Sequence, residues 1–461
     1  MGRFRLPRIR WRRLAWAAVF GGALFGALWR YAQAPYVLNL PDTARLQMEA
    51  NVDHFRCLSL NCAGVDPSLN IEVLGNPAAQ RYPDCNKAFA RNPWDLAFHD
   101  GRLFIGLGDD SNSGPSANAG PVPVLAYDLN SGKFTQESAL DEEQLDRFYR
   151  HDGALWAPGT DPRQSWRLGN LYRRDGASWT KQRTIPKAIH AHALTWHKGA
   201  VFAGLTATDV VPEALGQEHW GSAAARSSDG GIHWEFFPLG GLRVFEFLKV
   251  GGRLYATDIF PGPGAEAWLK REGREGKHAP VYEWLETGEF QRRTDLDAEH
   301  LFPDSPLAGK RSVSIDRAVT WGDRSAYLGI FSATKEAPTT QAAYWAESLA
   351  EGNLMVKRIP LPEKALALDV LVEGNRLFVL FSEPQENGAP GWINQVWSSA
   401  DGDKWIPEIR FNARNPARAF EKVGEDWFFG LGGFLPPQPG VCAPQDAATG
   451  TLLRVRKNRH Q

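Results

Sequence analysis

Apolar residues in this chain come in short runs of about four to six positions, many alternating with polar ones, and the runs are bounded by Gly, Asp or Asn. Period-two alternation over such lengths marks β-strands, and the bounding residues are those that turn a chain. Residues 190–236 show the unit plainly. The run His192–Trp196 meets a turn at Lys198-Gly199 and continues as Val201–Leu205, and Ser222–Arg226 then leads through Ser227–Gly231 into His233–Phe237. Four successive antiparallel strands make one blade of a β-propeller.

The unit repeats. First turns fall near Asp100-Gly101, Asp152-Gly153, Lys198-Gly199, Gly251-Gly252, Asp323-Arg324, Gly374-Asn375 and Gly424-Glu425. Second turns fall at Asn130–Phe134, Asp175–Trp179, Asp229–Trp234, Thr287–Phe290, Glu351–Leu354 and Asp401–Trp405. A spacing of about 50 residues suits a four-stranded blade. With seven first turns and six second turns, the last unit is one strand short. The unpartnered run Ser68–Leu74 can supply that strand and close the ring, because an open blade exposes its edges. The predicted fold is all-β: a seven-bladed β-propeller of four-stranded blades over residues 68–461, preceded by one N-terminal transmembrane or signal-anchor helix. Residues 35–67 read as a juxtamembrane linker in which Asp42–Phe55 has the pattern of a short helix.

One second turn has a specific form, Ser227-x-Asp229-x-Gly231-x-x-Trp234. Its Asp caps backbone amides, its Gly takes a positive φ, and its Trp packs between strands. This turn resembles the Asp-box of sialidase-like (BNR-repeat) propellers, and Ser399-x-Asp401…Trp405 and Asp175-Gly176…Trp179 resemble shortened forms. The box is structural, so the resemblance implies a fold and not by itself hydrolysis. A sialidase-like enzyme would add three converging Arg on a carboxylate, a Tyr–Glu nucleophile pair and an Asp acid/base. Arg243, Arg317 and Arg418 are the candidates for that clamp. The chain departs from the pattern elsewhere. Arg358-Ile359-Pro360 lies at the end of the fifth unit instead of at or before the first, and Tyr282-Glu283 reads as an outer strand.

Charge and cysteine change the picture mainly at the amino end. Six Arg within the first 13 residues precede an uncharged run, Leu14–Trp29. Sixteen helical residues span about 24 Å, near the thickness of a hydrocarbon core. Basic residues stay cytoplasmic, which sends the rest of the chain across. Residues 1–34 therefore read as a basic segment with a membrane anchor through residues 14–29. A signal peptide cleaved after Ala32-Gln33-Ala34 is the alternative, and gives a secreted or periplasmic protein. The formal net charge is −1, so the chain beyond the basic segment is acidic, at about −7, and carries no nucleic-acid footprint. Cys57, Cys62, Cys85 and Cys442 all lie on the exported side, where an even count favours disulfides. Of three pairings, Cys57–Cys62 with Cys85–Cys442 is favoured, since the second would tie the first blade to the last.

In every unit the connection after the second strand is long and rich in Gly and Pro, as in Gly108–Pro121 and Gly432–Thr449, while the first turns are tight. Long loops on one face mark it as the binding face. Aligned on the first turn, Asp95, Arg147, Glu246 and Asp369 occupy equivalent inner-strand positions, with His190, His192, Arg243, Asp316, Arg317 and Arg418 nearby. Glu246, Asp95 and Asp369 are the candidate catalytic carboxylates. Arg243, Arg317, Arg418, His190, His192 and Asp161 are the candidate ligand contacts. His190-x-His192 places both imidazoles on one side of a strand, as a metal would need, but no third ligand is evident and no metal is assigned. Trp166, Trp220, Trp268 and Trp392 fall in or beside the long loops and can serve as platforms for a sugar or a protein. Binding of a cell-envelope glycan or partner protein through this face ranks first, and a glycan-active hydrolase or lyase is the alternative.

Overall fold

The computed structural model describes residues 34–40, 46–48, 69–112, 114–210, 220–271, 279–333, 339–349, 353–385, 390–434 and 444–458. The anchor candidate 14–29, Cys57, Cys62 and Cys442 lie outside these residues. Among the described residues no helix is long and apolar enough to cross a membrane.

Seven sheets form seven blades, each running outward from an innermost strand in chain order. The innermost strands are Asp95–His99, Tyr149–His151, Ala188–His197, Glu246–Val250, Val313–Trp321, Leu366–Glu373 and Ala417–Val423. The first six blades take four consecutive strands each. The seventh takes three, Ala417–Val423, Asp426–Leu431 and Leu452–Lys457, and its outer strand is Leu69–Gly75 from the start of the chain. Val73 pairs with Leu453 and Ile71 with Val455 in that closing ladder. The hairpins at Asp100-Gly101 and Lys198-Gly199 have positive φ at both central residues, the turn that matches strand twist. The fifth hairpin lies one residue earlier than expected, at Gly322-Asp323 between Trp321 and Arg324.

The linker is more than a linker. Tyr36–Asn39 and Leu46–Met48 are fifth strands on the outer edges of blades two and one. Leu46–Met48 pairs antiparallel with Phe134–Gln136, and the Leu40 amide donates to the Trp179 carbonyl at 2.9 Å. A strand therefore replaces the helix expected within Asp42–Phe55, because an outer strand offers an unpaired ladder that a short polar helix cannot use.

The core lies between blades, where each sheet face packs on the next. Phe302, fully buried, meets Phe260, Tyr327, Phe331 and Tyr344 with ring centroids 5.1–6.3 Å apart. Near the axis a repeated polar device joins neighbours. An inner-strand carboxylate accepts the backbone amide of the next inner strand: Asp95 from Phe148 at 2.7 Å, Glu246 from Ala318 at 3.0 Å, Asp369 from Phe420 at 3.1 Å and Glu421 from Phe98 at 3.0 Å.

The Asp-box turn forms the predicted network. Ser227 Oγ accepts the Gly231 amide at 2.9 Å, Asp229 Oδ1 accepts the amides of Ile232 and His233, and Trp234 Nε1 donates to the Gly231 carbonyl. Ser399, Asp401, Gly402 and Trp405 repeat it with one residue fewer between Asp and Gly. Asp175-Gly176 is different. It is a plain hairpin in which Asp175 pairs with Arg173, and Trp179 turns inward to donate to Glu137. All three lie at the end of the blades opposite the long loops.

Candidate functional site

Where the innermost strands begin, on the long-loop face, the blades surround a cavity of about 530 Å³. Four β-bulges place its walls. Register shifts fall at Ala191/Ala193, Asp316/Val319, Ala367/Asp369 and Ala417/Ala419, and the residues they skip include His192, Arg317, Leu368 and Arg418. All four line the cavity. A bulge re-aims side chains, and here it turns one residue of each of these four inner strands toward the cavity. Arg317 sits in its bulge at φ +54°, a left-handed conformation that is costly outside Gly and persists only where the surroundings fix it.

Of the expected ligand contacts, Arg243, Arg317, Arg418, His190 and His192 line the cavity. Asp161 stands behind His190, with its carboxylate 3.9 Å from Nδ1. The expected catalytic carboxylates do not line it. Asp95 and Asp369 hold Arg317 at 3.3 and 4.0 Å, and Glu246 pairs with Arg147, so these carboxylates meet the cavity only through two guanidinium groups that do line it. For Asp369 the physical reason is the bulge at Ala367/Asp369, which aims Leu368 at the cavity instead. Asp95 and Glu246 lie on strands of regular register and are held by Arg317 and Arg147. Arg317 also donates to the carbonyls of Trp94 and Asp146, so this guanidinium is consumed by the scaffold. Burial alone would lower its pKa, but Asp369 and Asp95 hold it firmly charged. The three guanidinium groups are thus not equivalent, and Arg317 is not free to clamp a ligand.

Arg418 is the opposite case. Its guanidinium lies 4.5 Å from the Trp94 ring and 5.4 Å from Phe434, and Nη1 donates to the Gly433 carbonyl at 3.2 Å. Among the described residues no carboxylate comes within ion-pair distance of it. Burial, and then the charge of Arg317, push its pKa down to about 10. Gly432 makes room for it, since a Cβ there would stand 2.6 Å from Arg418 Cδ. Arg243 lies 5.6 Å from the Trp220 ring, and its charge is opposed by Asp110, Asp161 and Asp258.

The wall from blades one and two is acidic. Asp110 faces the cavity, its amide bonded to Gln144 Oε1, and burial with the charges of Asp146, Asp161 and Asp109 pushes it up to about 8. Burial pushes Asp161 up to about 6 against the pull of Arg243. The imidazoles move the other way. His190 Nδ1 faces the Thr160 carbonyl, and burial and Arg243 bring its pKa down to about 4. His192 stacks on it at 5.3 Å, bonds Thr206 Oγ1 at 2.8 Å, and is held neutral by burial. Leu328, Ile330 and Leu368 form an apolar wall opposite. Among the described residues no group of three or more His, Cys, Asp or Glu is arranged to hold a metal.

Sequence reasoning missed Trp94, Gln144 and Asp146. The latter two come from the connector between blades one and two, Asp141–Arg147, whose density of acidic residues was a readable signal. Of the expected aromatic platforms, Trp166 is exposed (46%), Trp220 carries Arg243, and Trp392 packs on Phe434 at 5.3 Å. The side chain of Trp268 lies outside the described residues. Cys85 is disulfide-bonded.

No family model and no curated protein matches the chain. Solved structures similar to it in fold include the WD40 repeats of RRP9 (8% identity, TM-score 0.44, covering 79% of this chain and 94% of that one). Phage phi92 endosialidase is similar at 10% identity and TM-score 0.37, covering 86% and 70%. Penicillium chrysogenum α-L-arabinanase is similar at 10% identity and TM-score 0.38, covering 79% and 92%. These likenesses are of fold alone.

Proposed function

We propose that this chain is an exported propeller, held at the cytoplasmic membrane by residues 14–29, that binds an acidic glycan of the cell envelope in the axial cavity. The observation that carries the reading is Arg418, a guanidinium in the cavity wall near the Trp94 and Phe434 rings, with no carboxylate within ion-pair distance among the described residues. Such a group receives a planar anion bidentately, and the carboxylate of an acidic sugar matches it. Arg243, His190 and His192 supply further contacts, with Asp161 orienting His190. Asp95, Asp369 and Glu246 act by fixing Arg317 and Arg147. The six Arg ahead of an apolar run support export, and the Asp-box turns support a relationship to sialidase-like propellers.

Calorimetric titration of the full-length protein with neutral and carboxylate-bearing oligosaccharides tests this. Acidic oligosaccharides bind and neutral ones do not, and Arg418→Ala weakens binding at least about tenfold, the loss of one charge-assisted pair. Equal affinity for neutral and acidic ligands overturns the reading. Cleavage of the same glycan is a second reading, favoured by the opposite shifts of Asp110 and His190 in one cavity.

A further inference from the structure

Resting on that binding reading, we infer that the axial cavity breaks its acidic glycan by β-elimination, with His190 Nε2 as the base and Asp110 as the acid. The geometry of His190 comes first. Its Nδ1 faces the Thr160 carbonyl with Asp161 behind, so that nitrogen carries the hydrogen and the lone pair falls on Nε2. The only hydrogen bond of the ring among the described residues is at Nδ1, and the ring lines the cavity. The ring cannot swing away, because it stacks on His192, which in turn meets Phe245 at 4.7 Å. A fixed, neutral imidazole opening into a cavity is a general base.

Asp110 faces the same space. Its backbone amide is pinned by Gln144, which also donates to Asp146, while the Asp110 carboxyl receives no side-chain hydrogen bond among the described residues. Burial first, and then the charges of Asp146, Asp161 and Asp109, keep its proton on, while Arg243 is the cation it attracts. Arg418 comes from blade seven and His190 from blade three. A sugar ring between them offers its carboxylate to one and its α-hydrogen to the other.

The step balances within these groups. His190 Nε2 takes the hydrogen on the carbon next to the carboxylate, and Arg418 stabilises the charge that develops on the carboxylate oxygens. The electron pair forms the C=C bond as the C–O bond to the β oxygen breaks, and Asp110 passes its proton to that oxygen. Proton transfer from histidinium back to Asp110 resets the site. No water or oxidant is consumed. Hydrolysis by the sialidase-like route fits less well, because no Tyr lines the cavity among the described residues and Asp95, Asp369 and Glu246 are tied to Arg317 and Arg147.

The test follows full-length protein on oligomers of galacturonate, mannuronate and glucuronate, by calorimetry and by the ultraviolet absorbance of the unsaturated uronate. One uronate class should bind and gain absorbance. His190→Gln, which keeps a partner for Thr160, should lower the rate about 100-fold or more with affinity within about threefold, and Asp110→Asn should do the same. Arg418→Lys should raise KM as well as lower kcat. Binding without absorbance overturns elimination and leaves the binding reading standing. Chain cleavage without a double bond overturns it in favour of hydrolysis. If no acidic oligomer binds, both readings fall.

Discussion

Replacing Glu246 by Gln keeps the side chain's shape, removes its charge and leaves Arg147 with no anion, in a place where the two side chains are 3% and 10% exposed. Breaking a buried pair from one side costs about 3–5 kcal/mol, because the charge left behind is unsolvated. The carboxylate also accepts the amides of Phe247 and Ala318, each at 3.0 Å, and only one oxygen remains in Gln to serve them. That adds about 1 kcal/mol. Unfolding entropy of roughly 2 cal/mol/K per residue gives about 0.8 kcal/mol/K for a propeller of this length, so the thermal midpoint should fall by about 5–7 °C. Arg147→Met alone should fall similarly, and the double variant should lose less than the sum of the two, with a coupling of about 2–3 kcal/mol. Differential scanning calorimetry of the four proteins measures this. A fall under about 1 °C for Glu246→Gln, or strictly additive losses, would refute the view that these carboxylates are desolvated clamps between blades.

Other outcomes follow from the same structure. Gly432→Ala drives a methyl group into buried Asn92 Oδ1 and against Arg418 without removing its charge, so both the thermal midpoint and the affinity of the folded protein for an acidic oligosaccharide should fall; unchanged affinity would show that Arg418 does not touch ligand. Ser227→Ala removes the acceptor of the Gly231 amide and should cost about 1–2 kcal/mol by chemical denaturation, with no effect at the cavity. Stability should fall as pH rises from about 6.5 to 8, because Asp110, pushed up to about 8 by burial and neighbouring carboxylates, keeps a proton in the folded state that the unfolded chain has already lost. Below that window His190 and His192, held neutral by burial, act in the opposite sense, since the unfolded chain then binds the extra protons. Asp110→Asn should flatten the upper slope, and an unchanged slope would place the titrating group elsewhere. Ser replacement of Cys85 should lower the midpoint of oxidised protein but not of reduced protein.

How far the sequence could be read depended on the kind of physics involved. Turn chemistry is local, so Asp100-Gly101, Lys198-Gly199 and the Asp-box at Ser227–Trp234 were legible residue by residue. Ring closure by Leu69–Gly75 was legible by counting, since one blade lacked a strand and one strand lacked a blade. The cavity was legible only to within one residue. A bulge leaves no mark in a pattern of apolar and polar positions, yet it decides whether Arg317 or Ala318, and Leu368 or Asp369, faces the axis. The strands at Tyr36–Asn39 and Leu46–Met48 were not legible, because they are short and gain their order from edges formed about 90 to 150 residues later in the chain.

The closing ladder also sets a waiting time. Leu69–Gly75 is made early, but Leu452–Lys457, with which it pairs, is made last, and the Asn76 side chain bonds the Thr449 carbonyl across 373 residues. At a synthesis rate of about 5–20 residues per second, the first strand exists for roughly 20 to 80 seconds before its partner does. For that interval a strand whose last three residues, Val73 to Gly75, are buried in the finished protein offers both edges to any other chain nearby. The ring therefore cannot fold blade by blade to completion during synthesis. Yield should depend on what shields that one strand, and a circular permutant beginning at Asn76 and ending with Leu69–Gly75 fused after Lys457 would remove the wait altogether.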